Sequence, residues 1–323
     1  MRIFVDDGST NIKLAWMEDG AVKTLISPNS FKPEWSMTLL TDSSVPASAN
    51  YEIDGEKYSF DQLSPDAVRT TETRYQYSDV NVVAIHHALM QSGIEPQPVD
   101  VVVTLPLGEY RMKTISLIWP TSSGKANVKR AVAVQGRESF TVRKVSVLPE
   151  SVPAGFSVLK DLDDLDSLLI VDIGGTTLDI AHVRSKMSGF TKTHCDPKTG
   201  VSIITEAVKH ALDTSVSTRT SSYFADRLIR ARNDETFLSR YLQNADQRAQ
   251  VMKVLHEREK ALTHRVTDSV GRFAGFTHVM VVGGGASPVA GAVKQATGVS
   301  DDRFFVSDNP QFDLVLGMVA MKG

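Results

Sequence analysis

Short runs of apolar residues alternate along the chain with longer segments whose apolar positions recur at helical spacing. The short runs are typical of buried strands, which we predict at residues 3–5, 12–17, 99–105, 145–148, 168–172 and 278–282. The longer segments favour helices, which we predict at residues 81–91, 151–162, 201–212, 247–273, 288–297 and 312–321. This alternation indicates an α/β protein.

Turn-forming and polar residues mark the breaks between these elements. Asp19 and Gly20 form a typical hairpin turn, and Gly93 is placed to end the first predicted helix. Residues 41–50 are small and polar and are predicted to be a loop. The charged segment DLDDLD, residues 161–166, is predicted to be the crossing between two halves of the chain.

Length and charge restrict the functions that need to be considered. A chain of 323 residues is too long for one small core and suits two domains. The net charge is −3 and no run is strongly basic, which disfavours direct binding to nucleic acid. No apolar stretch is long enough to span a bilayer, and the N-terminus lacks a signal-peptide pattern. We therefore expect a cytoplasmic protein that does not bind membranes.

Cysteine usage agrees with a reducing compartment. Cys195 is the only cysteine in the sequence, so no intrachain disulfide can form. It lies between His194 and Asp196, but no second cluster of metal ligands is visible nearby. We predict that these three residues form a polar loop rather than a metal site.

An internal repeat is the strongest signal in the sequence. Residues 6–15 read DDGSTNIKLA and residues 172–181 read DIGGTTLDIA, and each copy follows a predicted strand. The shared pattern D-x-G-x-T-x-[IL]-x-[IL]-A aligns Asp6 with Asp172, Gly8 with Gly174 and Thr10 with Thr176. One such hairpin is usually only a turn, but two matched copies half a chain apart indicate a duplicated unit.

The turns of the repeat have the chemistry of a phosphate clamp. Glycine lets backbone amides approach an anion closely, and successive N–H groups form a nest for it. The hydroxyl groups of Ser9, Thr10, Thr176 and Thr177 add hydrogen-bond donors. Two such hairpins, one from each half of the chain, are predicted to hold a polyphosphate from both sides.

Each hairpin begins with an aspartate that would repel phosphate. A divalent cation removes this conflict, and Mg²⁺ is held in proteins by a few carboxylates, waters and phosphate oxygens. Asp6 and Asp7 are neighbours on a strand, so only one of them can face the cleft, and the repeat favours Asp6. Lys13 is either a counter-charge for phosphate or a solvated lysine of the strand.

Two further motifs leave alternatives open. Gly283, Gly284 and Gly285 join a predicted strand to a predicted helix. Because glycine has no side chain, this turn could let a nucleoside lie against the backbone, or it could let the helix pack closely on the strand. Glu150 follows Pro149 at a strand end, where a rigidly held carboxylate could orient a water. Alternatively, Glu150 is an acidic residue near the N-terminus of a helix, where the helix dipole favours a negative charge.

These four elements, in this order, resemble the phosphate-1, connect-1, phosphate-2 and adenosine motifs of the actin, heat-shock chaperone and sugar-kinase superfamily. Within that superfamily the chain resembles the ParM/StbA family of plasmid-segregation filament proteins. The resemblance covers nearly the whole chain and is carried by the segments DDGSTNIKL, SPNSFKPEW, QYSDVNVVAIHHAL, VTLPLGEY, PESVPAGF, DSLLIVDIGGTTLDI, THVMVVGGGA, DDRFF and FDLVLGM.

The resemblance implies an actin-like, ribonuclease H-like α/β fold that is duplicated into two lobes with nucleotide in the cleft between them. Domain I is expected at residues 1–160 plus about 308–323, and domain II at residues 161–307. The implied cofactors are Mg²⁺ and ATP or ADP, with GTP or GDP as an alternative.

The resemblance also implies roles for individual residues. Glu150, Asp172 and Asp6 are the expected catalytic residues, and Asp6 and Asp172 also hold Mg²⁺, partly through water. The expected nucleotide-binding residues are Asp7, Gly8, Ser9, Thr10, Asn11, Lys13, Gly174, Gly175, Thr176, Thr177, Gly283, Gly284 and Gly285.

The function implied by the resemblance is hydrolysis of ATP, or also GTP, coupled to the dynamics of a polar filament that segregates plasmid DNA. The implied partners are copies of the chain itself and a ParR-like, DNA-bound adaptor at the filament ends. A monomeric small-molecule kinase of the same superfamily remains the alternative, although no acceptor pocket stands out in the sequence. A chaperone ATPase would need a substrate domain for which the chain has no room.

One segment departs from the family pattern. Residues 111–125, RMKTISLIWPTSSGK, are apolar and contain Trp119 and Pro120, where relatives carry a charged, helix-like stretch. We assign no function to this segment from the sequence.

Overall fold

The computed structural model describes residues 1–37, 49–72, 74–110, 125–216 and 219–322. Its strands are, in chain order, β1 (Arg2–Asp7), β2 (Asn11–Glu18), β3 (Ala21–Pro28), β4 (Phe31–Pro33), β5 (Asn50–Ile53), β6 (Glu56–Phe60), β7 (Pro98–Leu105), β8 (Ala133–Val134), β9 (Thr141–Pro149), β10 (Ser167–Ile173), β11 (Leu178–Arg184), β12 (Phe190–Asp196), β13 (His278–Val282) and β14 (Phe304–Phe305). Its α-helices are α1 (Asp79–Gln91), α2 (Phe156–Leu159), α3 (Ser202–Val216), α4 (Ser222–Arg230), α5 (Glu235–Tyr241), α6 (Ala245–Val270), α7 (Ala286–Thr297) and α8 (Asp313–Lys322).

Two larger sheets repeat one strand plan. Their strand orders are β3-β2-β1-β7-β9 and β12-β11-β10-β13-β14. In each sheet the strand that opens the repeat pairs antiparallel with its hairpin partner and parallel with a later strand. The duplicated sequence therefore folds into duplicated sheets, which confirms the predicted actin-like α/β fold with two lobes. A smaller sheet, in the order β4-β6-β5-β8, is added to the first lobe.

Side-chain alternation along the strands separates three buried clusters. On β1, Ile3 and Val5 face α1 and form the core of the first lobe, whereas Phe4 points to the opposite face. In the second lobe, residues of β10 pack in the same way against α3, α6 and α7. The third cluster joins Phe4 to Ile170 and to Met318 of α8. The inner faces of both sheets therefore share this third core.

Two predictions about local structure need correction. The predicted helix over residues 151–162 is divided, because Ser151 has a φ of 70° and a short 3₁₀ turn, Val152–Gly155, precedes α2. Asn50, the last residue of the predicted polar loop, begins β5 instead, while residues 41–48 lie outside the described residues. The atypical segment at residues 111–125 also lies outside them, apart from Lys125.

The C-terminal helix α8 packs tightly on the turn Val152–Gly155 and on β1 and β2 of the first sheet. Gly317 makes this possible, since a Cβ atom there would lie 1.8 Å from the carbonyl oxygen of Pro153. We expect Gly317→Ala to lower the free energy of unfolding by about 1–3 kcal/mol, because the backbone it meets cannot turn away.

The matched control for this substitution is Gly291→Ala in α7, where a Cβ atom would meet nothing within 4 Å. The better helix propensity of alanine is expected to stabilise this variant by up to about 1 kcal/mol. Urea unfolding of both variants measures the difference. Equal stabilities would contradict the close packing of α8.

Two buried histidines on α1 give the first lobe a sensitivity to acid. Burial lowers the pKa of His86 and of His87 to about 4. His87 is hydrogen-bonded to the hydroxyl of Tyr51 at 2.6 Å, whereas neither ring nitrogen of His86 has a partner among the described residues. Because a histidine of the unfolded chain titrates near pH 6.5, each buried histidine contributes a loss of stability as the pH falls from 6.5 to 4.

His86→Leu removes one of these contributions. The difference in the free energy of unfolding between His86→Leu and the wild type is expected to change in favour of the variant by about 1.4 kcal/mol for each pH unit below 6.5. Above pH 6.5 this difference is expected to stay constant. Chemical unfolding at several pH values measures the difference, in which the other titrating groups cancel. His256→Leu, at an exposed position of α6, controls for removing a histidine. A constant offset between His86→Leu and the wild type at every pH would contradict the prediction.

None of the helices in the described part of the chain combines the length and the apolar character needed to cross a membrane.

Candidate functional site

The two lobes enclose a cleft of about 650 Å³, and the repeated hairpins face each other across it. Of the predicted site residues, those that line the cleft are Asp6, Gly8, Ser9, Thr10, Asn11, Lys13, Glu150, Asp172, Gly174, Gly175, Thr176, Thr177, Gly283 and Gly284. Residues from both halves of the chain and from the strand end at Glu150 are therefore brought to one place.

The turns of the two hairpins touch. The hydroxyl groups of Ser9 and Thr176 are hydrogen-bonded to each other across the cleft. A Cβ atom on Gly175 would lie 2.6 Å from the Cγ2 atom of Thr10. Glycine at position 175 thus allows the hairpins to approach closely enough for one small anion to reach the backbone amides of both.

In the first hairpin the aspartate is paired with a lysine. Asp6 and Lys13 are direct cross-strand partners in the register of β1 and β2, and the Nζ atom of Lys13 lies 2.7 Å from Oδ2 of Asp6. Burial alone would lower the pKa of Lys13, but Asp6 and the more distant Asp172 and Glu150 raise it above its ordinary value. Lys13 therefore keeps its positive charge at the cleft.

The equivalent pair in the second hairpin consists of two acids. Asp172 and Asp179 are direct cross-strand partners in the register of β10 and β11. Burial, together with the charges of Asp179 and Asp6, raises the pKa of Asp172 to about 7. Asp179, buried beneath the cleft lining, accepts a hydrogen bond of 3.2 Å from the backbone N–H of Leu107, which ties the second lobe to the first.

Glu150 faces the same group of acids from the end of β9. Its backbone N–H donates to the carbonyl of Leu105 at 2.8 Å, which continues the pairing of β9 with β7. Its Oε1 atom accepts a hydrogen bond of 2.9 Å from Nε2 of Gln76. Burial, followed by the charges of Asp179, Asp6 and Asp172, raises the pKa of Glu150 well above its usual value.

The donor set of the cleft suits a divalent cation. Several carboxyl groups lie buried close together, and a cation among them would offset their repulsion. In the described parts of the chain, no group of three or more His, Cys, Asp or Glu residues is arranged to hold a metal ion directly. Mg²⁺ commonly keeps several waters and uses one or two carboxylates with phosphate oxygens, and Asp6 and Asp172 can supply those carboxylates.

Asp7 and Gly285, both predicted among the nucleotide-binding residues, do not line the cleft. The side chain of Asp7 is fully buried on the opposite side of β1, where it forms an ion pair with Lys125 and accepts a hydrogen bond of 3.2 Å from Asn81. Strand alternation requires this once Asp6 faces the cleft. Gly285 instead packs against Ile173, whose Cγ2 atom would lie 2.5 Å from a Cβ atom there.

Cys195 also differs from its prediction. It lies in strand β12 rather than in a polar loop, and it lines the cleft beside Gly108. Burial and the neighbouring Asp179 raise the pKa of its thiol. The alternation of β12 is hidden in the sequence because the strand is polar along most of its length.

The lining of the cleft also includes residues that the sequence did not reveal. They are Pro65, Val68, Arg69 and Thr70 of the first lobe, Thr205, Glu206 and Lys209 of α3, and Ser222, Tyr223, Asp226 and Arg230 of α4. Helix α3 is attached directly to the second hairpin, since the backbone N–H of Ser202 donates to the carbonyl of Gly175 at 2.8 Å. No motif marks these residues, because they meet only in the folded chain.

Solved structures of the same fold come from several actin-like proteins. A 15-stranded ParM filament from Clostridium botulinum has a TM-score of 0.73 at 16% identity, covering 99% of this chain and 98% of that one. The archaeal actin homologue Ta0583 in complex with ADP has a TM-score of 0.64 at 14% identity, with 100% of both chains covered. The filament of AlfA, from the B. subtilis plasmid pLS32, has a TM-score of 0.53 at 13% identity and covers 100% of this chain and 99% of that one. At these identities the structures show a shared fold.

Family models cover almost the whole sequence, although a search of curated proteins gives no match. The family described as "Plasmid segregation protein ParM, N-terminal" matches residues 1–161, and "Plasmid segregation protein ParM, C-terminal" matches residues 162–321. The chain therefore belongs to the ParM family of plasmid segregation proteins.

Proposed function

We propose that the protein is an actin-like ATPase that polymerises into polar filaments when it binds nucleotide and becomes unstable as a polymer after hydrolysis. The observation that supports this most is the pair of phosphate-type hairpins, which face each other across one cleft with Glu150 beside them. Membership of the ParM family supports the link to plasmid segregation. The protein is proposed to act in the cytoplasm.

Each part of the cleft has a proposed role. The hairpins bind the phosphates through backbone amides and through the hydroxyls of Ser9 and Thr176. Asp6 and Asp172 hold Mg²⁺, partly through water, and the bound ion would offset the charge of the phosphates. Glu150 accepts a proton from the attacking water and orients it. The glycines at positions 283 and 284 border the nucleoside.

We also propose that domain I consists of residues 1–160 plus about 308–323 and that domain II consists of residues 161–307. The sheets divide along the chain in this way, and α8 contacts β1 and β2 of the first sheet. Closure of the two domains on a triphosphate then favours one conformation of the subunit. A head-to-tail contact between identical subunits that does not close on itself yields an open, polar polymer.

The connection to DNA is proposed to run through a ParR-like adaptor bound to the plasmid and to the filament ends. The net charge of −3 gives the chain little attraction for the phosphate backbone of DNA. Tight, salt-sensitive binding of the purified protein to naked DNA would overturn this part of the proposal.

Sedimentation with phosphate-release measurements tests the function as a whole. We expect the protein to pellet with Mg²⁺ and ATP, to pellet less with ADP, and to release phosphate as the polymer turns over. Parallel samples with GTP establish whether that nucleotide also supports assembly. Failure to pellet with any nucleotide, together with transfer of phosphate to a small acceptor, would favour a monomeric kinase instead.

A further inference from the structure

Gln76 is a polar residue of the cleft that neither the repeat nor the four motifs point to. It lies in a single 3₁₀ turn, Tyr75–Tyr77, and is one of the residues that line the cleft. Its Nε2 atom donates the hydrogen bond of 2.9 Å to Oε1 of Glu150. Gln76 is therefore in direct contact with the carboxylate that is proposed to act on the attacking water.

The backbone of Gln76 is fixed by the segment that follows residue 124. Its carbonyl oxygen accepts hydrogen bonds from Nζ of Lys125 at 3.5 Å and from Nδ2 of Asn127 at 3.4 Å. Lys125 is itself held by its ion pair with Asp7. The turn that carries Gln76 is thus anchored to β1.

A second anchor connects the same turn to the first phosphate hairpin. The hydroxyl of Tyr75 accepts a hydrogen bond of 2.7 Å from Nδ2 of Asn29. The amide of Asn29 also donates to the backbone carbonyls of Gly8 and Ser9, at 2.8 Å and 3.0 Å. Gln76 consequently has a fixed position relative to the hairpin that is proposed to bind phosphate.

The other end of the Gln76 amide is an acceptor without a protein donor. Its Oε1 atom is buried, and no described group donates a hydrogen bond to it. Nε2 is thus the end of the amide that acts on the cleft, through its hydrogen bond to Glu150. A donor in a fixed place restricts the directions in which a carboxylate can point, and a group that acts on a water requires such an orientation.

We propose that Gln76 is a positioning residue, which holds the Glu150 carboxylate through Nε2 in the orientation that acts on the attacking water. This inference rests on the proposed function, since it assigns a role within the same hydrolysis. Gln76 differs from the groups proposed to bind nucleotide, because its hydrogen bonds are made with the side chains of Glu150, Lys125 and Asn127.

Gln76→Met tests the proposal with a side chain of similar length that has neither donor nor acceptor. We expect kcat to fall by about 10- to 100-fold. The KM for ATP and the Kd for ADP are expected to remain at wild-type values, because the hairpins are unchanged. A loss of nucleotide affinity in step with kcat would show a structural role and would overturn the proposal, as would an unchanged kcat.

Combining the variant with Glu150→Gln provides a readout that a structural role would not move. If Gln76 acts only through Glu150, adding Gln76→Met to Glu150→Gln costs less than about twofold in kcat, because residues that act as a unit are not additive. Full additivity of the two losses would overturn the proposal.

A crystal structure of Gln76→Met with ADP separates this inference from the proposed function. Absence of hydrolysis in the wild-type protein would defeat the proposed function itself. The contact with Glu150 would still be tested, because its carboxylate is expected to turn away or become disordered once the donor is removed. A Glu150 side chain that stays in place in the variant would overturn the assignment.

Discussion

Glu150→Gln is expected to lower the rate of nucleotide hydrolysis by about 100- to 10,000-fold while nucleotide binding is retained. The amide keeps the size of the carboxylate and removes its ability to accept a proton. The two hairpins that are proposed to bind the phosphates are untouched by the change. In the proposed function assembly depends on the bound triphosphate rather than on its cleavage, so the variant should form filaments that persist.

Phosphate release, followed together with light scattering after addition of ATP, measures both effects. Glu109→Gln is the matched control, because Glu109 also lines the cleft but is hydrogen-bonded to the hydroxyl of Tyr77. This control is expected to hydrolyse near the wild-type rate. Wild-type turnover in Glu150→Gln would show that Glu150 is only structural, and loss of nucleotide binding would place it among the binding groups.

Lys125→Met should destabilise the free protein by about 3–5 kcal/mol. The side chains of Lys125 and Asp7 are both fully buried and form an ion pair beneath the first hairpin. Without the lysine, the Asp7 carboxylate keeps, among the described residues, only the hydrogen bond from Asn81 and is left as a buried charge. Urea unfolding in the absence of nucleotide measures the loss.

The double variant Asp7→Leu/Lys125→Met should recover most of this stability, since an apolar pair can replace a buried ion pair at little net cost. Arg219→Gln is the contrasting control. It breaks an ion pair of 2.9 Å between Arg219 and Asp66, whose side chains are 72% and 65% exposed, so its effect should stay below about 1 kcal/mol. Equal losses for Lys125→Met and Arg219→Gln would contradict the buried position of Lys125.

Local patterns were sufficient for six strands of the two larger sheets, for the turn at Asp19 and Gly20 and for the duplicated hairpins. Strand β13 has the predicted bounds, and Asp19 and Gly20 form the predicted turn with positive φ values. Strand alternation predicted that only one of Asp6 and Asp7 faces the cleft, and the repeat identified it as Asp6. These features depend on neighbours within a few residues, which is the range over which sequence patterns carry information.

Contacts between distant residues could not be predicted in this way. Lys125 pairs with Asp7 across 118 positions, and its segment carried no family pattern that would suggest a buried lysine. The cross-strand position of Asp179 was accessible, because the repeat aligns it with Lys13, but only the folded hairpin shows that it faces Asp172. Similarly, the break after Glu150 comes from the φ of one residue, Ser151, which apolar spacing does not reveal.

The two hairpins differ most where Lys13 in one corresponds to Asp179 in the other. If a single ancestral lobe had bound nucleotide as a symmetric dimer, both sides of the cleft would have carried the same residue at this position. Every substitution would then have appeared in both copies, so one hairpin could not have carried a lysine where the other carried an aspartate. Two copies of the unit within one chain are free of that constraint, because each has its own sequence. The charge difference between the hairpins therefore makes the two sides of the cleft chemically different, so a bound molecule can be held in one orientation across it.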